Sequence, residues 1–279
     1  MKTFKSSTTG TMIPYATPLL FKKTFILSYT VLLSATLLAT PWPNDAQLQA
    51  SKTDIIPPFL FQTIKNKNHV PHKVYANLAI YAPKFKHFLL DDYEGAIFFQ
   101  TFYDPIYVKT YRLLKGPHKA DFLRYGLLYT FGGVYLDIKT TLIQPLHRSI
   151  HTKRPLMGAI SIVPKTIYQG VLASPRGNPT FLRIMSRMIK TPYAAHKNYI
   201  LFTQYHYEAL QALSSQPLRA GSVFNHTSSF DLLQERCSRN NMDCPDGLDR
   251  YGLCCYLLDP NQKPIFKVRY ADYPWGGKA

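Results

Sequence analysis

The chain has 279 residues, 46% hydrophobic and 18% charged, which is enough apolar material for one large folded domain and too much for a disordered chain. Its 33 lysines and arginines outnumber 16 acids and leave a net charge of +17, a surplus that favours anionic partners such as acidic lipid or phosphorylated ligands, sugar nucleotides among them. The basic residues are scattered and match no zinc-finger or RNA-binding spacing, so no nucleic-acid partner is expected.

Residues 1–23 contain Lys2, Lys5, Lys22 and Lys23 and no acid, and residues 24–43 (TFILSYTVLLSATLLATPWP) contain no charge. An uncharged stretch of that length, basic on its N-terminal side, reads as a transmembrane signal anchor behind a cytosolic tail. It makes the chain a single-pass type II membrane protein of the Golgi or another secretory lumen. A cleaved signal peptide is the competing reading; cleavage after Ala39 puts Leu37 where a small residue is wanted. Residues 44–54 are polar and read as a short stem, with a folded domain over 55–279.

Within that domain, Ile55 to Ile64 is apolar and β-rich around two prolines and reads as a first strand. Tyr75 to Tyr81 reads as a helix ended by Pro83, and Phe85 to Leu90 as a second strand closed by Asp91-Asp92. Residues 93–115 read as helices broken at Asp104-Pro105. In 116–146 (GPHKADFLRYGLLYTFGGVYLDIKTTLIQPL), Phe122, Leu123, Leu127, Leu128 and Phe131 follow helical spacing. Gly132-Gly133 stops that helix by accepting a left-handed backbone, and Val134 to Ile138 follows as a strand. Leu156 to Val163 and Tyr168 to Ser174 read as strands, 175–179 as a turn, and 180–190 and 198–213 as helices. From 215 the chain reads as loop-rich, with strands near 221–224 and 264–270. Strands alternating with helices make the domain a layered α/β fold.

All four cysteines fall late, at Cys237, Cys244, Cys254 and Cys255. Two disulfides between the first pair and the second would staple this region in an oxidising lumen, with the connectivity open; a zinc site is the alternative, without a recognised spacing. Asn225-His226-Thr227 is a glycosylation acceptor tripeptide.

The chemistry concentrates on Asp121, Arg124 and Asp137. Residues three apart lie on one helix face, so Asp121 and Arg124 can point to one place. The Gly-Gly turn folds the next strand back beside the helix, and Asp137 emerges at the strand's end, where open α/β sheets place their ligands. Two carboxylates and a guanidinium can accept from sugar hydroxyls and donate to phosphate. An isolated Asp-x-x-Arg is more often a solvated ion pair.

The whole block shifts that balance. Residues 119–125 (KADFLRY) and 129–137 (YTFGGVYLD) resemble, almost position for position, the A-D-x-x-R-Y-x-x-L-Y-x-x-G-G-x-Y-x-D block of glycosyltransferase family 32, whose members carry a DXD sugar-binding region. Ile56 to Thr63 resembles that family's opening strand, keeping Gln62 and Thr63; Leu90-Asp91-Asp92 and Tyr168 to Pro179 resemble further segments. The resemblance covers roughly residues 55–190. It implies a GT-A fold, that is, a Rossmann-like mixed sheet flanked by helices. It also implies a UDP- or GDP-hexose donor, a glycan or lipid acceptor, and transfer with retention of configuration. On this likeness Gln62, Asp121, Arg124, Tyr135, Asp137 and Lys139 bind the donor, Asp137 and Lys139 act in catalysis, and Gln169, Gly170 and Trp275 lie on the acceptor side.

One departure stands out. Asp137-Ile138-Lys139 occupies the place of Asp-x-Asp, and a protonated lysine cannot ligate the Mn²⁺ or Mg²⁺ that the motif's last acid holds. Either Lys139 itself neutralises the leaving diphosphate, or a metal is retained by Asp137 with a late carboxylate, for which Asp272 is the candidate. A catalytically inactive nucleotide-sugar- or glycan-binding scaffold is the alternative function.

Overall fold

The computed structural model describes residues 41–51, 55–150, 154–194, 197–224 and 229–269. The expected cytosolic tail, all of the anchor but its last three residues, the glycosylation tripeptide, Asp272 and Trp275 lie outside the described residues. Among the described residues no helix is long and apolar enough to cross a membrane.

The described chain opens with α1 (Asp45–Ala50), capped by Asn44 and Gln47, whose side chains each accept from the other's backbone N–H. Trp42 sets its ring edge-on against Phe98 and Phe102, and Leu48 packs on the same apolar cluster. Residues expected to end the anchor and form a stem therefore pack against the domain. Next come β1 (Phe59–Thr63), α2 (His72–Tyr81), β2 (Lys86–Leu90), α3 (Asp92–Phe102), α4 (Pro105–Leu113) and α5 (Pro117–Phe131). Asp91 ends β2 and caps α3, taking the N–H groups of Tyr93 and Glu94. The rest are β3 (Gly133–Leu136), β4 (Thr141–Leu142), α6 (Leu146–Ser149), β5 (Leu156–Ile160), β6 (Ile167–Tyr168), β7 (Val171–Ser174), α7 (Pro179–Lys190), α8 (Leu201–Gln211), β8 (Gly221–Phe224), β9 (Ser229–Ser238), β10 (Cys254–Leu258) and β11 (Pro264–Arg269).

These strands join one mixed sheet in the order β2-β1-β3-β7-β5-β9-β10-β11-β4, with β6 on β5 and β8 on β9. The fold is thus α/β, as the alternation of elements predicts. β1 lies between β2 and β3 and is parallel to both. The chain leaves β1 for β2 on one side and returns to β3 on the other, so the strand order reverses beside β1. At such a point the two crossovers diverge and leave a crevice at the strands' C-terminal ends. Gln62, Thr63 and Asp137 stand there.

Side-chain alternation splits the core into two layers. Phe59 and Phe61 of β1 and Tyr135 of β3 face the cluster built with α3, α5, α7 and α8, while Leu60, Val134 and Leu136 face a second cluster with Leu78 of α2 and Leu146 of α6. α5 ends at Gly132 and Gly133, whose φ angles are +69° and +98°. A Cβ on Gly133 would lie 2.6 Å from the Phe59 carbonyl oxygen, so this turn needs both the left-handed backbone and the missing side chain.

The C-terminal third departs from the expected loops. β9 and β10 form an antiparallel pair, and β10 continues to β11. The expected strand over 168–174 is broken into β6 and β7 at Gln169 and Gly170, and the register against β5 shifts from Ala159↔Tyr168 to Leu156↔Ala173. The cysteines pair as Cys237–Cys255 and Cys244–Cys254, which excludes the zinc alternative for those thiols. Cys237 and Cys255 are also direct partners in the β9–β10 register.

Candidate active site

The three residues singled out from the sequence meet. Arg124 Nη2 lies 3.0 Å from Asp121 Oδ1 and 3.2 Å from Asp137 Oδ1, while Nη1 donates to the Gln169 carbonyl at 2.6 Å. Its Nε reaches back one turn to the Ala120 carbonyl at 3.4 Å, and the guanidinium stacks 4.5 Å from the Tyr135 ring centroid. Arg124 and Asp121 are buried, whereas the Asp137 side chain keeps 30% of its surface exposed. Burial opposes the Arg124 charge, but Tyr135, Asp137 and Asp121 outweigh it and hold the group above its ordinary pKa. Arg124 thus spends its donors on the protein and fixes two carboxylates, rather than offering a fork to phosphate.

Asp137 is set by its neighbours on every side. Its N–H donates to the Gly170 carbonyl at 2.8 Å, and its own carbonyl accepts from Thr140 N at 2.8 Å, closing a turn over Asp137-Ile138-Lys139-Thr140. Aspartate is a favoured first residue of such a turn. Tyr135 donates its hydroxyl to Asp137 Oδ1 at 3.1 Å and exchanges a 2.9 Å bond with Thr63 Oγ1. Gln62 is fully buried beneath, with Nε2 3.5 Å from the Asp137 carbonyl. Gly170 admits this arrangement only because it lacks a side chain: a Cβ there would lie 2.7 Å from Asp137 Oδ2 and 2.4 Å from the Tyr168 hydroxyl. Gln169 and Gly170, expected on the acceptor side, touch the cluster through their carbonyls. Lys139 is half-buried; burial lowers its pKa, the Asp137 charge opposes that, and Arg269 and Arg250 add to it.

Other residues complete the site. His118 Nδ1 approaches Asp121 Oδ2 at 3.5 Å, one helical turn away, a spacing visible in the sequence. Tyr199 stands at the rim, 68% exposed, with its ring 5.4 Å from that of His118. His206 lies fully buried under the site against the Tyr125 hydroxyl. No local signal marks Tyr199 or His206, because their contacts with His118 and Tyr125 on α5 are long-range in the chain. Two concavities, one lined by Gln144, Arg148, Asp231 and Lys263 and another by Arg236, Asp246 and Lys267, do not include the three central residues.

Among the described residues, the donor set around Asp137 offers too few free carboxylate oxygens to hold a divalent ion, and Asp272 lies outside them. Asp137 Oδ1 and Asp121 Oδ1 are both engaged by Arg124, and a cation, Lys139, stands where a second acid would be needed. Among the described residues, the one group of His, Cys, Asp and Glu side chains close enough to share an ion is Glu235, Cys237 and Cys255, and both cysteines are in disulfides.

Two carboxylates fixed by one guanidinium thus stand together at the sheet's switch point, where open α/β sheets place their ligands. Residues 65–156, about a third of the chain, match the family described as "Glycosyltransferase sugar-binding region containing DXD motif". The chain is 38% identical over 69 residues to the initiation-specific alpha-1,6-mannosyltransferase of Saccharomyces cerevisiae, covering 24% of this chain and 14% of that protein. It is 33% identical over 78 residues to the Candida albicans protein of the same name, covering 27% and 20%. The matches thus span no more than a fifth of either relative. Among solved structures, the PaToxG glycosyltransferase aligns at a TM-score of 0.41 and 15% identity, over 61% of this chain and 75% of that one.

Proposed function

We propose that this protein is a membrane-anchored glycosyltransferase of GT-A architecture. It moves a hexosyl unit from a nucleoside-diphosphate sugar to a hydroxyl of a glycan or glycolipid. The observation that carries the reading is the meeting of Asp121, Arg124 and Asp137 at the C-terminal ends of β1 and β3, within a segment matching a glycosyltransferase sugar-binding region. Asp137, the most exposed of the three, faces the donor; Asp121 accepts from its sugar hydroxyls, and Arg124 holds both carboxylates apart at fixed positions. Fixed groups of this kind act on the transition state without reorganising. In the transfer, the bond from the anomeric carbon to the diphosphate oxygen breaks and a bond to the acceptor oxygen forms. The acceptor proton passes to the departing phosphate, and retention of configuration follows from the family resemblance.

The basic N-terminal tail and uncharged stretch 24–43 support a type II anchor, and two disulfides suit an oxidising secretory lumen such as the Golgi. Release of nucleoside diphosphate from a panel of UDP- and GDP-hexoses tests the activity, with a mannosyl donor first because two relatives are named mannosyltransferases. Asp137→Ala is expected to abolish both donor hydrolysis and transfer; full turnover in that variant rules the assignment out. Lys139 favours a second reading, a scaffold that holds nucleotide sugar without turning it over. Tight nucleotide binding with no release from any donor, with or without Mn²⁺, would establish it.

A further inference from the structure

A single exposed aromatic ring means nothing by itself on a protein surface. Tyr199, 68% exposed, differs in its footing and in what it leans on. Its two chain neighbours are tied down. Asn198 Oδ1 accepts from Ile200 N at 3.2 Å, and Asn198 Nδ2 donates to Gln204 Oε1 at 3.2 Å. The Ile200 carbonyl accepts from Thr203 Oγ1 at 2.6 Å and from Gln204 N at 3.0 Å. Tyr199 is therefore presented by an Asx turn locked onto the first turn of α8.

The ring meets the site through His118. Its centroid lies 5.4 Å from the imidazole, and Phe202 sets its own ring edge-on to the same imidazole at 5.0 Å. His118 is buried, and its Nδ1, which has no hydrogen-bond partner, lies 3.5 Å from Asp121 Oδ2. Asp121 Oδ1 is held in turn by Arg124 at 3.0 Å. Contacts thus run unbroken from Arg124 through Asp121 and His118 to an aromatic ring that is open to solvent. The site's charges reach that ring: partial burial, then Asp121 and Asp137, hold the Tyr199 hydroxyl above its ordinary pKa, with Arg124 opposing.

A hexose has two kinds of surface, hydroxyls round its edge and C–H groups on its faces. Asp121 and Asp137 suit the edge, since carboxylates accept from hydroxyls. Neither they nor Arg124 offers a surface for a C–H face. A fixed aromatic ring beside a few placed polar groups does, and tyrosine gives that area while freezing only two side-chain torsions.

We propose that Tyr199 is the platform on which the hexose ring of the donor lies while Asp121 holds its hydroxyls, so that Tyr199 makes the site prefer a sugar nucleotide to the bare nucleotide. This rests on the nucleotide-sugar reading of the Asp121–Arg124–Asp137 site and adds to it a residue that sets specificity for the sugar.

Calorimetric titration of the detergent-solubilised full chain with a panel of UDP- and GDP-hexoses, each beside its free nucleoside diphosphate, with Mn²⁺ and again with EDTA, tests this. Tyr199→Ala should weaken binding of the sugar nucleotide that wild type prefers about tenfold, the scale of one aromatic contact, and leave the free nucleoside diphosphate unchanged. Tyr199→Phe keeps the ring and should bind that sugar nucleotide as wild type does. The side chain is exposed, so neither variant should move the melting curve. Equal affinity for the sugar nucleotide in wild type and Tyr199→Ala overturns the platform and leaves the transferase reading standing. An equal loss for the free nucleoside diphosphate also overturns it, because the ring then lies on the base. A wild-type protein that binds no sugar nucleotide of the panel removes both the platform and the reading on which it rests.

Discussion

Arg124 is the residue on which the site turns, because one side chain fixes three separate pieces of backbone. Its guanidinium ties Asp121 of its own helix, Asp137 beyond β3 and the Gln169 carbonyl between β6 and β7. A lysine can keep the charge but cannot span those three directions with a planar fork. Arg124→Lys is therefore expected to fold and to lose about 10²-fold in turnover, the scale of loss from a misplacement of about 1 Å. Arg124→Ala leaves two carboxylates without their cation. It should cost roughly 3 kcal/mol, the lower end of the range for breaking a buried pair, because Asp137 keeps contact with solvent. Urea unfolding of both variants beside donor-turnover assays separates the effects: a lysine variant with full turnover would show that charge alone suffices.

At the scale of elements, the β9–β10 hairpin is the piece that both disulfides tie down. The Cys237–Cys255 bridge closes a sequence separation of 18 residues across it. Replacing both cysteines by serine should lower stability by about 3 kcal/mol through the freed denatured chain. The Asp121–Arg124–Asp137 cluster, held by α5 and the turn after β3, should keep its donor turnover; urea unfolding and turnover assays of the same variant measure both. That hairpin is also where the sequence is hardest to read. β9 (SFDLLQERCS) carries Asp231, Gln234, Glu235 and Arg236 inside a strand, which breaks the apolar alternation. Its polar groups are satisfied by other strands and loops: Arg154 and Ser222 bond Asp231 at 3.0 and 2.7 Å, and Ser161 bonds Glu235 at 2.6 Å. By contrast α5 and β3 announce themselves, because Pro117, the apolar helical spacing, Gly132-Gly133 and the β-branched run are all local signals. The central site inherits that legibility, since Asp121, Arg124 and Asp137 sit on those two elements. Arg269 does not share it, since its buried partner Asp249 stands in the connection between β9 and β10. The disulfide connectivity is hidden for the same reason, as it follows from a register that no local pattern predicts.

For the molecule as a whole, the burial of a histidine beneath the site ties stability to pH. His206 has no exposed surface, shares a 3.3 Å contact with the Tyr125 hydroxyl, and sets its ring edge-on to that tyrosine. Burial, reinforced by the Arg124 charge, lowers its pKa to about 3 from an ordinary 6.5. In the unfolded chain the imidazole is free to protonate near pH 6.5, whereas in the folded protein it stays neutral well below that. Between those values the unfolded state binds more protons, so stability rises with pH, is complete above about 7, and is lost as the pH falls through 6.5. From pH 7 to pH 5 the loss from this one group is about 2 kcal/mol. His87, lowered to about 4 by burial, acts in the same direction. Urea midpoints at pH 7 and pH 5 should therefore differ more in wild type than in His206→Gln, by an amount corresponding to about 2 kcal/mol. If both proteins lose the same stability over that interval, His206 is protonated in the folded state and α8 does not seal it against α5.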